Sequence, residues 1–202
     1  MKLNGDSKKP IKNRQRRFFR YFSYLMYFCW GIIIVLFLYF GIYKACMYPI
    51  KYKEQVIFYS KEYQVEPELV FAVIKTESSF KVNAESQAGA KGLMQITDST
   101  GGYIAQKLGV EEFDLFDAET NVNFGCYYLK YLLNKFESLD TALGAYNAGE
   151  GKVNLWLQDA NFSKDGKNLD YAPYPETQNF IKNVKKSVQT YRKLYGNILD
   201  KA

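Results

Sequence analysis

Glu77 closes an apolar run, Leu69-Val70-Phe71-Ala72-Val73-Ile74, that opens at Pro67. Proline suits the first helical position, so the pattern predicts a helix that starts at Pro67 and carries Glu77 in its last turn. On that helix Val70 and Val73 stand seven and four residues before Glu77, and all three share one face. An acid on the core-facing stripe, at the negative end of its helix, resists ionisation through both burial and dipole. A proton donor that works near neutral pH needs that tuning. The plainer alternative is a solvated glutamate on a last turn, because glutamate is rarely buried without a partner.

Other kinds of chemistry are closed off by composition. The chain has no histidine, which removes Ser-His-Asp and Cys-His catalysis and imidazole-bound zinc. Proton transfer must therefore fall to Asp, Glu, Lys or Tyr. Cys29, Cys46 and Cys126 are far apart and odd in number, so they imply neither a metal cluster nor a disulfide framework, and no cofactor is expected. Cys126 falls in a helical pattern and reads as a small buried hydrophobe, which leaves Cys46 as the candidate exposed thiol. Ser78-Ser79-Phe80-Lys81 fits an S-x-x-K pattern for an acylated serine, but no K-T-G accompanies it.

Three further stretches hold groups able to meet a substrate. In Ser86-Gln87-Ala88-Gly89-Ala90-Lys91-Gly92-Leu93-Met94-Gln95, the glycines and small alanines let backbone approach a ligand, or simply turn tightly. Ser86 and Gln95 can orient hydroxyls or an amide, or act as local caps, while Met94 reads as packing. In Ala145-Tyr146-Asn147-Ala148-Gly149, Tyr146 offers a ring face and a hydroxyl, and Asn147 a group that can hold a substrate or the acid. The competing reading there is a core tyrosine beside a helix-ending turn. Glu176, in Pro175-Glu176-Thr177, is either a polar contact in the same cleft or a first-turn glutamate favoured by the helix dipole.

Glu77-Ser78-x-Phe80, the Ser86 to Gln95 stretch, Ala145 to Gly149 and Pro175-Glu176-Thr177 together resemble the ordered motifs of the soluble lytic transglycosylases. The resemblance covers about Tyr52 to Tyr195. It implies a lysozyme-like fold, of the goose type, that cleaves the β-1,4 MurNAc–GlcNAc bond of peptidoglycan strands. It also implies Glu77 as the single acid/base, with substrate assistance and a 1,6-anhydromuramoyl product, and Ser86, Gln95, Tyr146, Asn147 and Glu176 as substrate contacts. Hydrolysis on the same fold, as in a goose-type lysozyme, and a glycan-binding scaffold without catalysis are the alternatives. The chain departs from the family pattern in two places. Thr97-Asp98 stands where methionine and proline are often found, and Phe180 stands where a tyrosine is usual.

Those residues need a frame. The chain has 202 residues, 48% hydrophobic and 24% charged, which fits one globular domain plus a short extra segment. Its net charge of +6 is concentrated in residues 1–20, where eight basic residues face one acidic. The remainder carries 19 basic and 20 acidic residues, so the folded part lacks a footprint for a phosphate backbone and nucleic-acid binding is not expected.

Tyr21 to Tyr43 holds no charge, and as a helix rising about 1.5 Å per residue it crosses a hydrocarbon core of roughly 30 Å. Tyrosines cluster at both ends, as in interfacial belts. The basic residues ahead of the run outnumber Lys44, Lys51 and Lys53 after it, which keeps the N-terminus cytoplasmic and the domain outside. A cleaved signal peptide would have a shorter apolar core. The expected organisation is a basic cytoplasmic tail (1–20), a transmembrane helix (21–43), a tether (44–52) and a catalytic domain (53–202).

Within that domain the periodicity is helical throughout. Helices are expected from about Lys53 to Tyr63, from Pro67, from Asp98 or Ser99 to Leu108, across Val122 to Leu133, from Leu139, and across Phe180 to Leu194. Residues 160–172 read as a loop, and no sustained β alternation is present. The fold class is all-α, a lysozyme-like helical domain preceded by one transmembrane helix.

Overall fold

The computed structural model describes residues 9–199. Of the basic tail expected at 1–20, residues 1–8 lie outside the described residues. Two compact units are present, Met1–Pro49 and Ile50–Ala202.

The first unit is one helix, α1 (Lys9–Met47). The stretch from Arg16 to Lys44 is long and apolar enough to cross a membrane. The helix runs past both ends of the uncharged segment, which leaves residues 48–52 between it and the next element.

The second unit is helical apart from one small hairpin. In chain order it comprises α2 (Lys53–Glu62), α3 (Pro67–Glu77), β1 (Ala90–Lys91), β2 (Ile96–Thr97), α4 (Asp98–Leu108), α5 (Ala118–Lys135), α6 (Leu139–Ala148), α7 (Glu150–Leu157) and α8 (Pro175–Leu199). The starts follow local chemistry. Pro67 and Pro175 stand first in α3 and α8, and Thr97, Asp117 and Ser138 accept the backbone N–H of Thr100, Thr120 and Thr141 at the starts of α4, α5 and α6. Gly109 ends α4 in the left-handed conformation (φ 68°).

Helix α3 is the centre of the packing. Leu69 to Ile74 are all buried, and α3 packs most extensively on α8, where Phe71 stacks on Tyr191 with ring centroids 5.5 Å apart. Helix α5 packs on α2 and α6, and α6 packs on α7 and α8. A second cluster under α5, α6 and α7 contains Leu132, Phe136, Ala145, Val153 and Trp156.

Two elements had no sequence signal. Helix α7 follows α6 across Gly149 alone (φ 93°), so its eight residues read as a continuation of the motif before it. The hairpin of β1 and β2 pairs Ala90 with Thr97 and Lys91 with Ile96, and strands of two residues are too short to show a period.

Candidate active site

Glu77 is the last residue of α3, and the chain turns sharply beyond it. The Ser78 hydroxyl donates to the Ile74 carbonyl at 3.1 Å and accepts the Phe80 N–H at 3.1 Å. Ser79 and Phe80 both adopt positive φ, at 51° and 63°, and Phe80 is buried against Phe71 with centroids 6.3 Å apart. Positive φ in a phenylalanine is strained, and the buried ring holds the turn in place. The helix end and this locked turn fix where the carboxyl group sits.

The loop after the turn forms the facing wall. Ser86 and Ala90 exchange two bonds, Ser86 N–H to the Ala90 carbonyl at 2.9 Å and Ala90 N–H to the Ser86 hydroxyl at 3.0 Å. Gly92 donates to the Ala84 carbonyl at 2.9 Å with φ 78°, and any Cβ there would overlap Asn121 Nδ2 and the Leu115 carbonyl. Gln95, also at positive φ, donates through Nε2 to the carbonyls of Ala84 (3.1 Å) and Gly92 (2.9 Å). Leu93 and Met94 are fully buried, with Met94 against Gly125 on α5.

Asn121 bolts this loop to α5. Fully buried, it accepts the Met94 N–H at 2.7 Å and donates to the carbonyls of Lys91 (2.9 Å) and Leu115 (2.8 Å). From α6, the Tyr146 hydroxyl donates to the Met94 carbonyl at 2.8 Å, so α5 and α6 both grip the loop at the same residue. The Tyr146 ring lies parallel to Phe180 of α8 (6.2 Å, 2°) and tilts against Tyr128 of α5 (5.7 Å, 47°). Phe180 therefore serves as a packing face for Tyr146. Asn147 accepts the Thr177 hydroxyl at 2.8 Å, joining the end of α6 to the start of α8.

Glu77, Ser86, Gln95, Tyr146, Asn147 and Glu176 all line one cleft of about 400 Å³. Larger hollows of about 670 and 490 Å³ lie along α8, and neither contains Glu77. Among the described residues the Glu77 carboxyl accepts no hydrogen bond and meets no cation. Burial, and secondly the negative Glu176, push its pKa from 4.5 up to about 8. Burial and then Glu77 raise Tyr146 well above the usual range for a phenol, so its hydroxyl stays a donor.

Four of the five expected substrate contacts are thus already engaged within the protein. Ser86, Gln95, Tyr146 and Asn147 line the cleft while their hydrogen bonds brace its walls. Glu176 is exposed at the rim. Sequence reasoning missed Asn121 and Tyr128. Nothing local separates Asn121 from a surface asparagine on α5, and Tyr128 has a tyrosine on the preceding residue that faces elsewhere. Among the described residues no group of three or more Cys, Asp or Glu is gathered to bind an ion. What remains is the Glu77 carboxyl, its pKa raised, in a cleft of small residues and aromatic rings with Glu176 exposed at the rim.

Residues 54–169 match the family described as the transglycosylase SLT domain, over more than half of the chain. The chain belongs to this family. It is 29% identical over 155 residues to the soluble lytic murein transglycosylase of Salmonella typhimurium, an alignment covering 74% of the chain and 24% of that protein. It is 39% identical over 93 residues to the membrane-bound lytic murein transglycosylase F of Desulfosudis oleivorans, covering 43% of the chain and 19% of the relative. Among solved structures, an inactive mutant of the lytic transglycosylase Slt from Pseudomonas aeruginosa superimposes with a TM-score of 0.64 at 25% identity, over 74% of the chain and 25% of that one. The chain thus spans at most about a quarter of the length of these relatives, and what they share with it is the SLT domain.

Proposed function

We propose that this SLT-domain chain is a membrane-anchored lytic transglycosylase that cleaves the β-1,4 MurNAc–GlcNAc bond of peptidoglycan. One observation carries the reading: a carboxyl group with a pKa of about 8 sits in the cleft formed by the four motifs. At neutral pH it holds the proton that a leaving glycosidic oxygen needs.

Two carboxylates normally share this chemistry, one as acid and one to meet the sugar cation. Glu176, the other carboxylate in the cleft, is exposed at its rim, so the substrate supplies the second role. Glu77 gives its proton to the bridging oxygen as the bond from that oxygen to the anomeric carbon breaks. The carbonyl oxygen of the sugar's own 2-acetamido group closes on the anomeric carbon in its place. Glu77, now a carboxylate, takes the proton of the C6 hydroxyl, whose oxygen displaces the acetamido oxygen and forms the 1,6-anhydro ring. Glu77 ends protonated, and no water is consumed.

Ser86, Gln95, Tyr146 and Asn147 act by holding the walls in register around that ring, and Glu176 by raising the Glu77 pKa. The apolar helix α1 spans the membrane through 21–43, with the basic segment 1–20 on the cytoplasmic side, residues 48–52 as the tether beyond the end of α1 at Met47, and the catalytic domain 53–202 outside. The experiment is digestion of purified sacculi. The wild-type chain releases soluble fragments, and Glu77→Gln releases none while keeping its helical circular dichroism. Undiminished release by Glu77→Gln would contradict the proposal.

A further inference from the structure

The charge of the second unit is divided unevenly. Residues 50–177 carry 12 basic and 19 acidic residues, whereas Gln178 to Leu199, the greater part of α8, carries five basic and none acidic. The helix is amphipathic, with Phe180, Val184, Val188, Tyr191 and Tyr195 buried on its inner side. Lys182, Lys185, Lys186, Arg192 and Lys193 are all exposed. Lys182, Lys186, Gln189 and Lys193 recur at spacings of four, three and four, so they form one stripe along the outer side. At about 1.5 Å per residue that stripe runs for roughly 17 Å.

Pairing within the protein does not use the stripe. Lys185 is held by Asp140 at 2.7 Å and Arg192 pairs with Glu66, yet among the described residues Lys182, Lys186 and Lys193 make no ion pair. The hollow of about 490 Å³ beside α8 is edged by Lys182, Lys185 and Lys186, and by Tyr171, which is 53% exposed. Both acids of that hollow are engaged inside the protein, Asp140 by Lys185 and Asp170 by the Lys164 N–H at 2.8 Å. A row of amines with a tyrosine at its margin suits a layer of phosphate headgroups. The amines meet the phosphates, and the amphipathic ring sits at headgroup level.

We infer that the exposed face of α8 is a docking surface for the anionic phosphate headgroups of a lipid bilayer. This goes beyond the proposed activity and rests only on the membrane anchor. Residues 48–52 connect α1 to α2, and five residues reach at most about 18 Å. A bilayer crossed by α1 therefore presents headgroups to the second unit at high effective concentration. The same headgroups repel the acidic remainder of the unit, which leaves α8 as the favoured face. Glu176 stands in the first turn of α8 at the rim of the cleft, so docking of this helix fixes the direction in which the cleft faces.

The test is lysine footprinting of the full chain in lipid nanodiscs, made of phosphatidylcholine alone or with a third of it replaced by phosphatidylglycerol. A water-soluble acylating reagent modifies exposed amines, and mass spectrometry reads each one. Phosphatidylglycerol lowers the labelling of Lys182, Lys186 and Lys193 about threefold or more, while Lys81 and Lys107, exposed elsewhere on the unit, do not change. High salt restores the labelling. Equal labelling in both lipids, or a fall at every lysine alike, overturns the docking surface. So does protection by soluble polyphosphate in phosphatidylcholine discs when phosphatidylglycerol gives none, because the stripe then takes a free polyanion. If sacculi are still digested in such a case, docking alone fails. A chain that does not enter the discs overturns the membrane anchor and the docking surface together.

Discussion

Glu77 keeps its proton because the fold half-buries it and sets the negative Glu176, and among the described residues no cation, beside it. The consequence for stability has a definite sign. The folded-state pKa of about 8 lies above the ordinary 4.5, so between those values the folded chain holds a proton that the unfolded chain releases. Stability therefore falls as pH rises from 4.5 to 8. Glu77→Gln removes that loss, and thermal unfolding should show the variant more stable by about 1–3 kcal/mol at pH 7 to 8, with the difference vanishing near pH 4. Turnover by the wild type should hold between pH 6 and 7 and decline above about pH 8, as the acid loses its proton. At this scale the place of Glu77 at the end of an apolar helical stripe left a solvated glutamate open, and it was the ordered motifs after it that singled it out as the candidate acid. It could not show that Ser86, Gln95, Tyr146 and Asn147 spend their polar groups on the walls, because each bond reaches a partner set by tertiary packing.

At the scale of elements, the loop between α3 and α4 is held to α5 and α6 chiefly through Asn121, Gly92 and Tyr146. Asn121→Ala leaves a buried N–H at Met94 and carbonyls at Lys91 and Leu115 without partners. Denaturant unfolding should register a loss of about 2–4 kcal/mol. Gly92→Ala should cost at least as much, since the new Cβ meets a side chain and a backbone carbonyl at a φ that alanine disfavours. A change below about 0.5 kcal/mol in either variant would show that the loop is not anchored there. The helices were legible because apolar residues recur at three and four, with Pro67, Asp117 and Gly109 as punctuation. Helix α7 and the hairpin were not, since a single glycine separates α6 from α7 and each strand has two residues.

At the scale of the whole molecule, a long apolar helix precedes a compact unit whose charge is close to balanced. The uncharged run from Tyr21 to Tyr43 was legible as a helix long enough to cross a membrane, whereas the helix extends from Lys9 to Met47, past both ends of that run. The proposed orientation puts Cys46 on the outer side, and among the three cysteines Cys126 is buried and Cys29 lies inside the span. A membrane-impermeant maleimide should label intact cells, and Cys46→Ser should abolish the label; labelling that requires permeabilisation would reverse the orientation. The most direct test of the central claim is digestion of sacculi in water enriched in oxygen-18, with mass spectrometry of the released ends. Intramolecular ring closure by Glu77 predicts anhydromuramoyl ends free of the heavy isotope, and reducing ends that carry it would contradict the account.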